Sequence, residues 1–323
     1  MKSHGEPVHA LFEKAFAGER RSIGQLLSVI EQGGDQADSV TEMAHTFTGK
    51  AHIVGITGAP GSGKSTLTGQ LTRISSEAGW KTAVLAVDPS SPLTGGAILG
   101  DRIRMDDLAG EETFIRSMAT RGHSGGLALA VPAAIRLFDA VGYDPVIIET
   151  VGVGQVEVDV AGTADTTVVV VTPGWGDAVQ ANKAGLLEVA DIFVVNKADR
   201  PGAKDARRDL ELMLDLGHIS GLNDQNEFRP PIIMTNALHG EGTNEVWKNI
   251  KEHGEHLHSS GQLEQRQSNR IHLEITNRLN RVIGEVASSV LETKAGRELL
   301  KSVASREISP SEAAKQLAAK VLK

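Results

Sequence analysis

Residues 52–66 read HIVGITGAPGSGKST, and the predicted class of fold follows from this stretch. Its first part, HIVGIT at 52–57, is an apolar run typical of a buried strand. Residues 58–65 then match G-x-x-x-x-G-K-[ST], the pattern of a phosphate-binding loop. The next stretch, STLTGQLTRISSEAG at 65–79, has the character of a helix. A strand, a glycine-rich loop and a helix in this order predict a P-loop.

Six further apolar runs alternate with helical stretches along the chain. They are rich in Val and Ile and nearly all apolar on both faces, as strands of a parallel sheet covered by helices are. The pattern predicts βαβ units and a doubly wound, mostly parallel α/β fold. The runs are TAVLAVD (82–88), TFIRSM (113–118), PVIIET (145–150), TTVVVVT (166–172), DIFVVN (191–196) and PIIMTN (231–236).

Helical segments flank this α/β region on both sides. We predict an N-terminal helical segment at 1–50, a P-loop domain at 51–252 and a C-terminal helical arm at 253–323. The stretch HGEHLHSSGQLEQRQSNR (253–270) is interpreted as a polar connection that runs into a helix, with solvated histidines. Ser309-Pro310 marks the start of a further helix.

Composition and charge exclude several classes of protein. The 323 residues include 33 Lys and Arg against 41 Asp and Glu, a net charge of −8 that argues against nucleic-acid binding. The absence of cysteine excludes disulfide scaffolds and thiolate chemistry and fits a reducing, cytoplasmic compartment. No apolar run approaches the length of a membrane helix, and the N-terminus lacks the pattern of a signal peptide.

The phosphate loop predicts a nucleotide site whose ligands follow from residue chemistry. Backbone N–H groups of the loop and the start of the helix bind phosphate, Lys64 reaches the β- and γ-phosphates, and Ser65 ligates Mg²⁺. The motif alone does not separate a kinase from an ATPase or a GTPase. The predicted phosphate-binding residues are Gly58, Ala59, Pro60, Gly61, Ser62, Gly63, Lys64, Ser65 and Thr66.

The end of the run DIFVVN indicates which base is bound. Asn196-Lys197-Ala198-Asp199 forms an N-K-x-D motif at a strand's carboxyl end, where open α/β sheets bind ligands. The Asp199 carboxylate can accept hydrogen bonds from N1–H and the N2 amine of guanine, which adenine lacks. Lys197 can cover the ring face, and Asn196 can tie this loop to the phosphate loop. Asn236-Ala237-Leu238 ends the next strand, and the Ala237 N–H is a candidate donor to guanine O6.

Carboxylates at other strand ends are candidates for Mg²⁺ and for sensing the γ-phosphate. Asp88 and Glu149 each end a run, and Asp101 lies in a glycine-flanked loop. The Gly152 N–H is a candidate γ-phosphate sensor. Val153 stands where Ras-type proteins have the water-orienting glutamine, and Gln155 lies two residues further on. Slow intrinsic GTP hydrolysis is therefore expected, with Glu149 and Gln155 as candidate catalytic residues beside Lys64.

Longer motifs resemble one family, the methylmalonyl-CoA mutase-associated GTPases of the MeaB/ArgK type. The resemblance covers nearly the whole chain. It extends to the class of nickel-insertion and signal-recognition GTPases, the SIMIBI class of P-loop NTPases. The matching segments are GITGAPGSGKST, AVDPSSPLTGGAILGDRIRM, RGHSGGL, ETVGVGQVEVD, PGWGDAVQANKAGLLEVADIFVVNKADR and TNAL.

The resemblance implies a slow, Mg²⁺-dependent GTPase that binds GTP and GDP and forms a homodimer through its C-terminal arm. It implies a chaperone of an adenosylcobalamin-dependent acyl-CoA mutase that gates cofactor loading, with no cobalamin bound by this chain itself. It also implies that the loop at 174–186 is a further switch, with Lys183 as its notable cation. Two positions depart from the family: Trp175 stands where a small residue is frequent, and Asn236 where Ser is usual.

Three alternatives stay open on the sequence. A nickel-enzyme metallochaperone would need metal ligands, and the chain offers no Cys and a single His cluster at 253–258. A small-molecule kinase would have no use for the N-K-x-D motif. A dimeric scaffold would bind nucleotide without turnover.

Overall fold

The computed structural model describes residues 7–88, 112–119, 126–150, 162–174, 189–219 and 228–321. Its centre is a seven-stranded sheet in the order β3-β2-β4-β1-β5-β6-β7, and every strand pair is parallel. The predicted doubly wound α/β fold is confirmed, and all seven apolar runs form strands. The strands are β1 Ile53–Thr57, β2 Ala83–Asp88, β3 Phe114–Ala119, β4 Val146–Thr150, β5 Thr166–Val171, β6 Ile192–Asn196 and β7 Ile232–Thr235.

Helices precede, alternate with and follow these strands. None of the helices in the described ranges is long and apolar enough to cross a membrane. The described helices are α1 Val8–Phe16, α2 Arg20–Gln32, α3 Asp35–His45, α4 Lys64–Glu77, α5 Gly126–Ala140, α6 Ala203–Ile219, α7 Thr243–Ser260, α8 Gln262–Glu292, α9 Lys294–Ala304 and α10 Pro310–Val321.

Both faces of the sheet are covered, which explains the lack of alternation in the strands. In β2, Leu85 and Val87 pack with Phe138 of α5 and the N-terminal helices, whereas Val84 and Ala86 pack with α4 and α7 on the other side. Every residue of β4, β5 and β6 is buried. A strand that is covered on both faces is stabilised by an apolar residue at each position, so apolar residues follow one another without alternation.

The chain forms two compact units, Met1–Arg270 and Ile271–Lys323. The second contains the end of α8 together with α9 and α10. Ser309 caps α10, because its Oγ accepts a hydrogen bond from the Glu312 N–H at 3.1 Å. The predicted domain boundaries at 50/51 and 252/253 stay predictions.

The interpretation of residues 253–270 as a polar connection is wrong. Helix α7 continues to Ser260 and α8 begins at Gln262. His253 is only 1% exposed, not solvated, and Leu257 is fully buried. These two residues and Ile250 recur at helical spacing, so they form one buried face while the polar residues between them face outward.

Candidate nucleotide-binding site

The phosphate loop joins the central strand β1 to helix α4, and two glycines permit its close contacts. Gly58 has φ 138°, and a Cβ there would lie 2.1 Å from the Val170 carbonyl oxygen of β5. Gly63 has φ 93°, and a Cβ there would lie 2.3 Å from Nδ2 of Asn196. Both positions therefore require glycine.

Lys64 is the first residue of α4 and is buried. Its Nζ donates to the carbonyl oxygens of Gly58 at 2.7 Å and Ala59 at 3.1 Å. These bonds hold the ammonium group inside the loop, where the N-terminus of α4 also favours negative charge. The arrangement suits a bound phosphate.

Ser65 and Glu149 bring two oxygen ligands together beside the loop. The Ser65 hydroxyl donates to Glu149 Oε1 at 2.5 Å, and Glu149 is buried at the end of β4. A hydroxyl and a carboxylate in contact next to a phosphate site are the ligands that Mg²⁺ prefers. The residues present therefore fit the ion.

The other predicted metal and switch residues are less completely described. Asp88 ends β2 at the same sheet edge as Glu149, because Ala86 of β2 is in register with Glu149. The Asp88 side chain and residues 101, 152, 155, 175 and 183 lie outside the described part of the structure. The roles predicted for Asp88, Asp101, Gly152, Gln155 and Lys183 stay predictions.

Asn196 ties the base loop to the phosphate loop, as its position at the end of β6 suggested. Its Nδ2 donates to the Ser62 carbonyl oxygen at 2.8 Å, and its Oδ1 accepts from Thr235 Oγ1 at 3.1 Å. Lys197 has φ 59°, and its Nζ donates to the Gly61 carbonyl oxygen at 2.6 Å. The Asp199 carboxylate is exposed at this loop. The geometry places the N-K-x-D motif beside the phosphate loop.

The Ala237 N–H has a different partner from the one predicted. It donates to Asn196 Oδ1 at 3.1 Å, so it supports the base loop rather than standing as an open donor for guanine O6. Asn236 is buried and forms a bridge with Glu241, and Leu238 is 74% exposed. The tight turn after β7 explains the difference, because it turns the Ala237 N–H toward Asn196.

Sequence reasoning missed three threonines at strand ends. Thr150 Oγ1 donates to Thr57 Oγ1 at 3.2 Å, and both side chains are fully buried. This bond joins the residue before the phosphate loop to the residue after Glu149. Thr235 is the third, through its bond to Asn196. The available signal was a hydroxyl residue at the last position of each of these strands.

A parallel sheet with a phosphate loop after its central strand is the fold of P-loop NTPases, and the N-K-x-D loop beside it is the mark of the GTPases in that class. Sequence comparison agrees. The sequence model of the methylmalonyl Co-A mutase-associated GTPase MeaB family matches residues 23–292. The chain belongs to this family and is a GTPase.

Similar proteins support this assignment. A putative GTPase of Pyrococcus abyssi is 43% identical over 98% of this chain and 97% of its own length. The GTPase ArgK of Escherichia coli is 37% identical over 77% of this chain and 76% of its own. A crystal structure described as a LAO/AO transport system kinase superposes with a TM-score of 0.70 at 26% identity, covering 100% of both chains.

Replacing Asn196 by alanine is expected to lower the free energy of unfolding by about 2–4 kcal/mol. The change leaves the Ser62 carbonyl, the Thr235 hydroxyl and the Ala237 N–H without this partner in a buried site. Denaturant unfolding of the nucleotide-free protein measures the change. In Asn249→Ala, which loses one exposed bond to Glu245, we expect a change within about 0.5 kcal/mol. Equal effects of the two substitutions would contradict the role assigned to Asn196.

Proposed function

We propose that this GTPase is a Mg²⁺-dependent chaperone of an adenosylcobalamin-dependent acyl-CoA mutase, with methylmalonyl-CoA mutase as the first candidate client. In this proposal, GTP binding and hydrolysis gate cofactor loading and protect the mutase from inactivation. The supporting observation is the family match over residues 23–292, because the family description itself names methylmalonyl Co-A mutase. The chain would act in the cytoplasm and bind no cobalamin itself.

The described site supports slow, switch-like hydrolysis. Lys64 and the backbone N–H groups of the loop would hold the phosphates, while Ser65 and Glu149 would hold Mg²⁺. The ion, when bound, neutralises charge that develops on the phosphate oxygens. The position that carries the water-orienting glutamine in Ras-type proteins is Val153. A site that binds the phosphates but has no glutamine at that position is expected to hydrolyse GTP slowly, as a molecular switch does.

A homodimer formed through the C-terminal arm is part of the proposal. Within unit Ile271–Lys323, one face of α8 carries apolar side chains that are largely exposed: Ile275 at 61% and Leu279 at 54% are the most prominent. Five of the exposed apolar residues recur every three or four positions, the spacing of a helix seam that packs against another helix. They are Ile271, Ile275, Leu279, Val282 and Val286, and Leu273 and Ile283 are also exposed.

Three other functions make different predictions. A small-molecule kinase would bind ATP at least as well as GTP, and a nickel chaperone would bind nickel without affecting any mutase. Comparison of GTP and ATP affinities separates the kinase from the GTPase chaperone. A nucleotide-binding scaffold would show no hydrolysis in a single turnover.

Single-turnover GTP hydrolysis with and without purified methylmalonyl-CoA mutase tests the proposal. We expect the mutase to accelerate hydrolysis at least about fivefold, the lower end of ordinary coupling between sites. The chain with Lys64→Ala, mixed with the same mutase, is the control for hydrolysis by contaminants. If methylmalonyl-, isobutyryl- and ethylmalonyl-CoA mutases neither change the rate nor form a complex on size exclusion, the chaperone proposal is wrong.

A further inference from the structure

A cavity of about 200 Å³ lies at the edge of the sheet opposite the nucleotide site. The phosphate loop follows the carboxyl end of β1, whereas the cavity is lined by His52, directly before β1, and by residues at the amino ends of β4 and β5. Helix α7 and the first turns of α8 complete its walls. The cavity is therefore separate from the site described above, and nothing in the proposed function uses it.

Two of the chain's three tryptophans line this cavity, in a protein with only 3% aromatic residues. Trp247 is buried, while Trp80 is 38% exposed. The Nζ of Lys251 lies 5.9 Å from the centroid of the Trp80 ring. A cation thus already stands over one indole face, as expected for the negative face of an aromatic ring.

Asp144 supplies a carboxylate in the cavity wall. Its Oδ1 accepts from the His52 N–H at 3.0 Å, and within the described residues it forms no ion pair. Burial raises the pKa of Asp144 and the nearby Asp139 acts in the same direction, whereas the hydrogen bond from the His52 N–H lowers it. The neighbouring Asp165, in contrast, is paired with Arg270 at 2.7 Å. Glu255 adds an exposed carboxylate at the rim.

Hydrogen bonds between buried residues fix the His52 ring in the cavity wall. Asp191 binds Arg266 at 2.7 Å and His253 Nε2 at 3.3 Å. Burial acts to raise the pKa of Asp191, but the bonds from His253 and Arg266 hold it at about 2, so this carboxylate is ionised and accepts hydrogen bonds. His253 Nδ1 lies 2.7 Å from Thr166 Oγ1, which lies 2.7 Å from His52 Nε2.

None of the described residues forms a hydrogen bond with Nδ1 of His52. Burial lowers the pKa of His52 to about 4, although Asp165 acts in the opposite direction, so the ring is neutral at physiological pH. The cavity therefore combines a carboxylate, a neutral imidazole and two indoles. The carboxylate and the indole faces favour a positively charged group, and the neutral imidazole adds no charge that opposes it.

Two lysines, Lys50 and Lys251, also line the cavity and oppose a cation. Both side chains are exposed, so water and salt screen their charges. Lys251 occupies the face of Trp80 that a ligand would use, and its long side chain can move into solvent. Lys251 is therefore a competitor for the site.

We propose that this cavity binds a small organic cation, with its charged N–H groups at Asp144 and its flat or apolar body against Trp80 and Trp247. Amidinium, guanidinium and alkylammonium compounds belong to this chemical class. A bare metal ion has no flat or apolar body to pack against the two indoles, and an anion would be repelled by the Asp144 carboxylate.

Binding of benzamidine to the full chain tests the proposal. Benzamidine is a flat cation at neutral pH, benzamide is its neutral analogue of similar shape, and benzoate is the corresponding anion. Ligand-observed NMR or calorimetry at constant GDP is expected to give benzamidine at least about tenfold tighter binding than benzamide, which corresponds to about 1.4 kcal/mol. Benzoate is expected to bind more weakly still.

Three substitutions locate the site. Trp80→Ala and Asp144→Asn should each weaken benzamidine binding, whereas Lys251→Gln should strengthen it because the competing cation is lost. A purely structural role for Lys251 would not produce this gain. GTP hydrolysis should stay unchanged in Trp80→Ala and Lys251→Gln, which shows that the fold is intact. The proposal is overturned if benzamide or benzoate binds as well as benzamidine, if benzamidine does not bind at millimolar concentration, or if neither Trp80→Ala nor Asp144→Asn weakens it.

Discussion

Replacing Lys64 by alanine is expected to slow GTP hydrolysis by at least about 10²–10³-fold, the usual effect of removing one donor aimed at developing charge. Lys64 is buried, and its ammonium group lies against the carbonyl oxygens of Gly58 and Ala59, within the predicted phosphate-binding loop. Alanine would leave the loop's N–H groups without the cation that is predicted to stabilise the β- and γ-phosphates. Single-turnover hydrolysis at saturating GTP measures the effect.

Lys204→Ala is the matched control, because it removes an exposed lysine from the start of α6. It should hydrolyse GTP at the rate of the unsubstituted protein. Unfolding midpoints of both variants in the absence of nucleotide check that the fold persists. An unchanged rate in Lys64→Ala would mean that this loop does not act on the phosphates.

Replacing Asp199 by asparagine is expected to weaken GTP binding about 10–100-fold and to strengthen XTP binding. A hydrogen bond to a charged group contributes about 1.5–3 kcal/mol, and asparagine offers guanine an amide donor where the carboxylate accepts. Xanthine has a carbonyl at C2, which accepts from that amide. The Asp199 carboxylate is exposed beside the phosphate loop, so the change leaves the core intact. Competition of GTP and XTP against a fluorescent GDP analogue measures the shift.

Asp205→Asn provides the comparison, since it removes an exposed carboxylate six residues further along the chain. Its preference for GTP over XTP should match that of the unsubstituted protein. If Asp199→Asn keeps the same preference, Asp199 does not read the base. Weakened binding of both nucleotides to the same extent would instead assign Asp199 to the loop's structure.

Much of the fold could be predicted because its signals are local. Most strands are short runs rich in Val and Ile, and both faces of the sheet are covered, so burial leaves a nearly continuous apolar pattern. The helix start at Ser309-Pro310 is equally local, since a cap depends on residues within one turn. The helix over residues 253–260 was missed because its buried face is short and includes a histidine.

Some features of the candidate site could likewise be predicted from local sequence, whereas others could not. The order of residues in the phosphate loop and in N-K-x-D predicts which elements meet, because both loops follow strands of one parallel sheet. Which hydrogen bonds form between these two loops depends on interatomic distances that the spacing of residues along the chain does not encode. The Ala237 N–H was predicted to face a base, but the turn after β7 directs it to Asn196. The contact of Ser65 with Glu149, 84 residues apart, is likewise a result of packing.

The class of this protein follows from its sequence, since a P-loop and an N-K-x-D motif at strand ends require these residue types for phosphate and guanine. The contacts of polar residues that belong to no motif depend instead on the folded structure. His52, Thr166, His253 and Asp191 lie far apart in the sequence and form one hydrogen-bonded chain. Burial then makes each of them depend on its partners, because a polar group removed from water needs a hydrogen bond that only distant parts of the chain can supply.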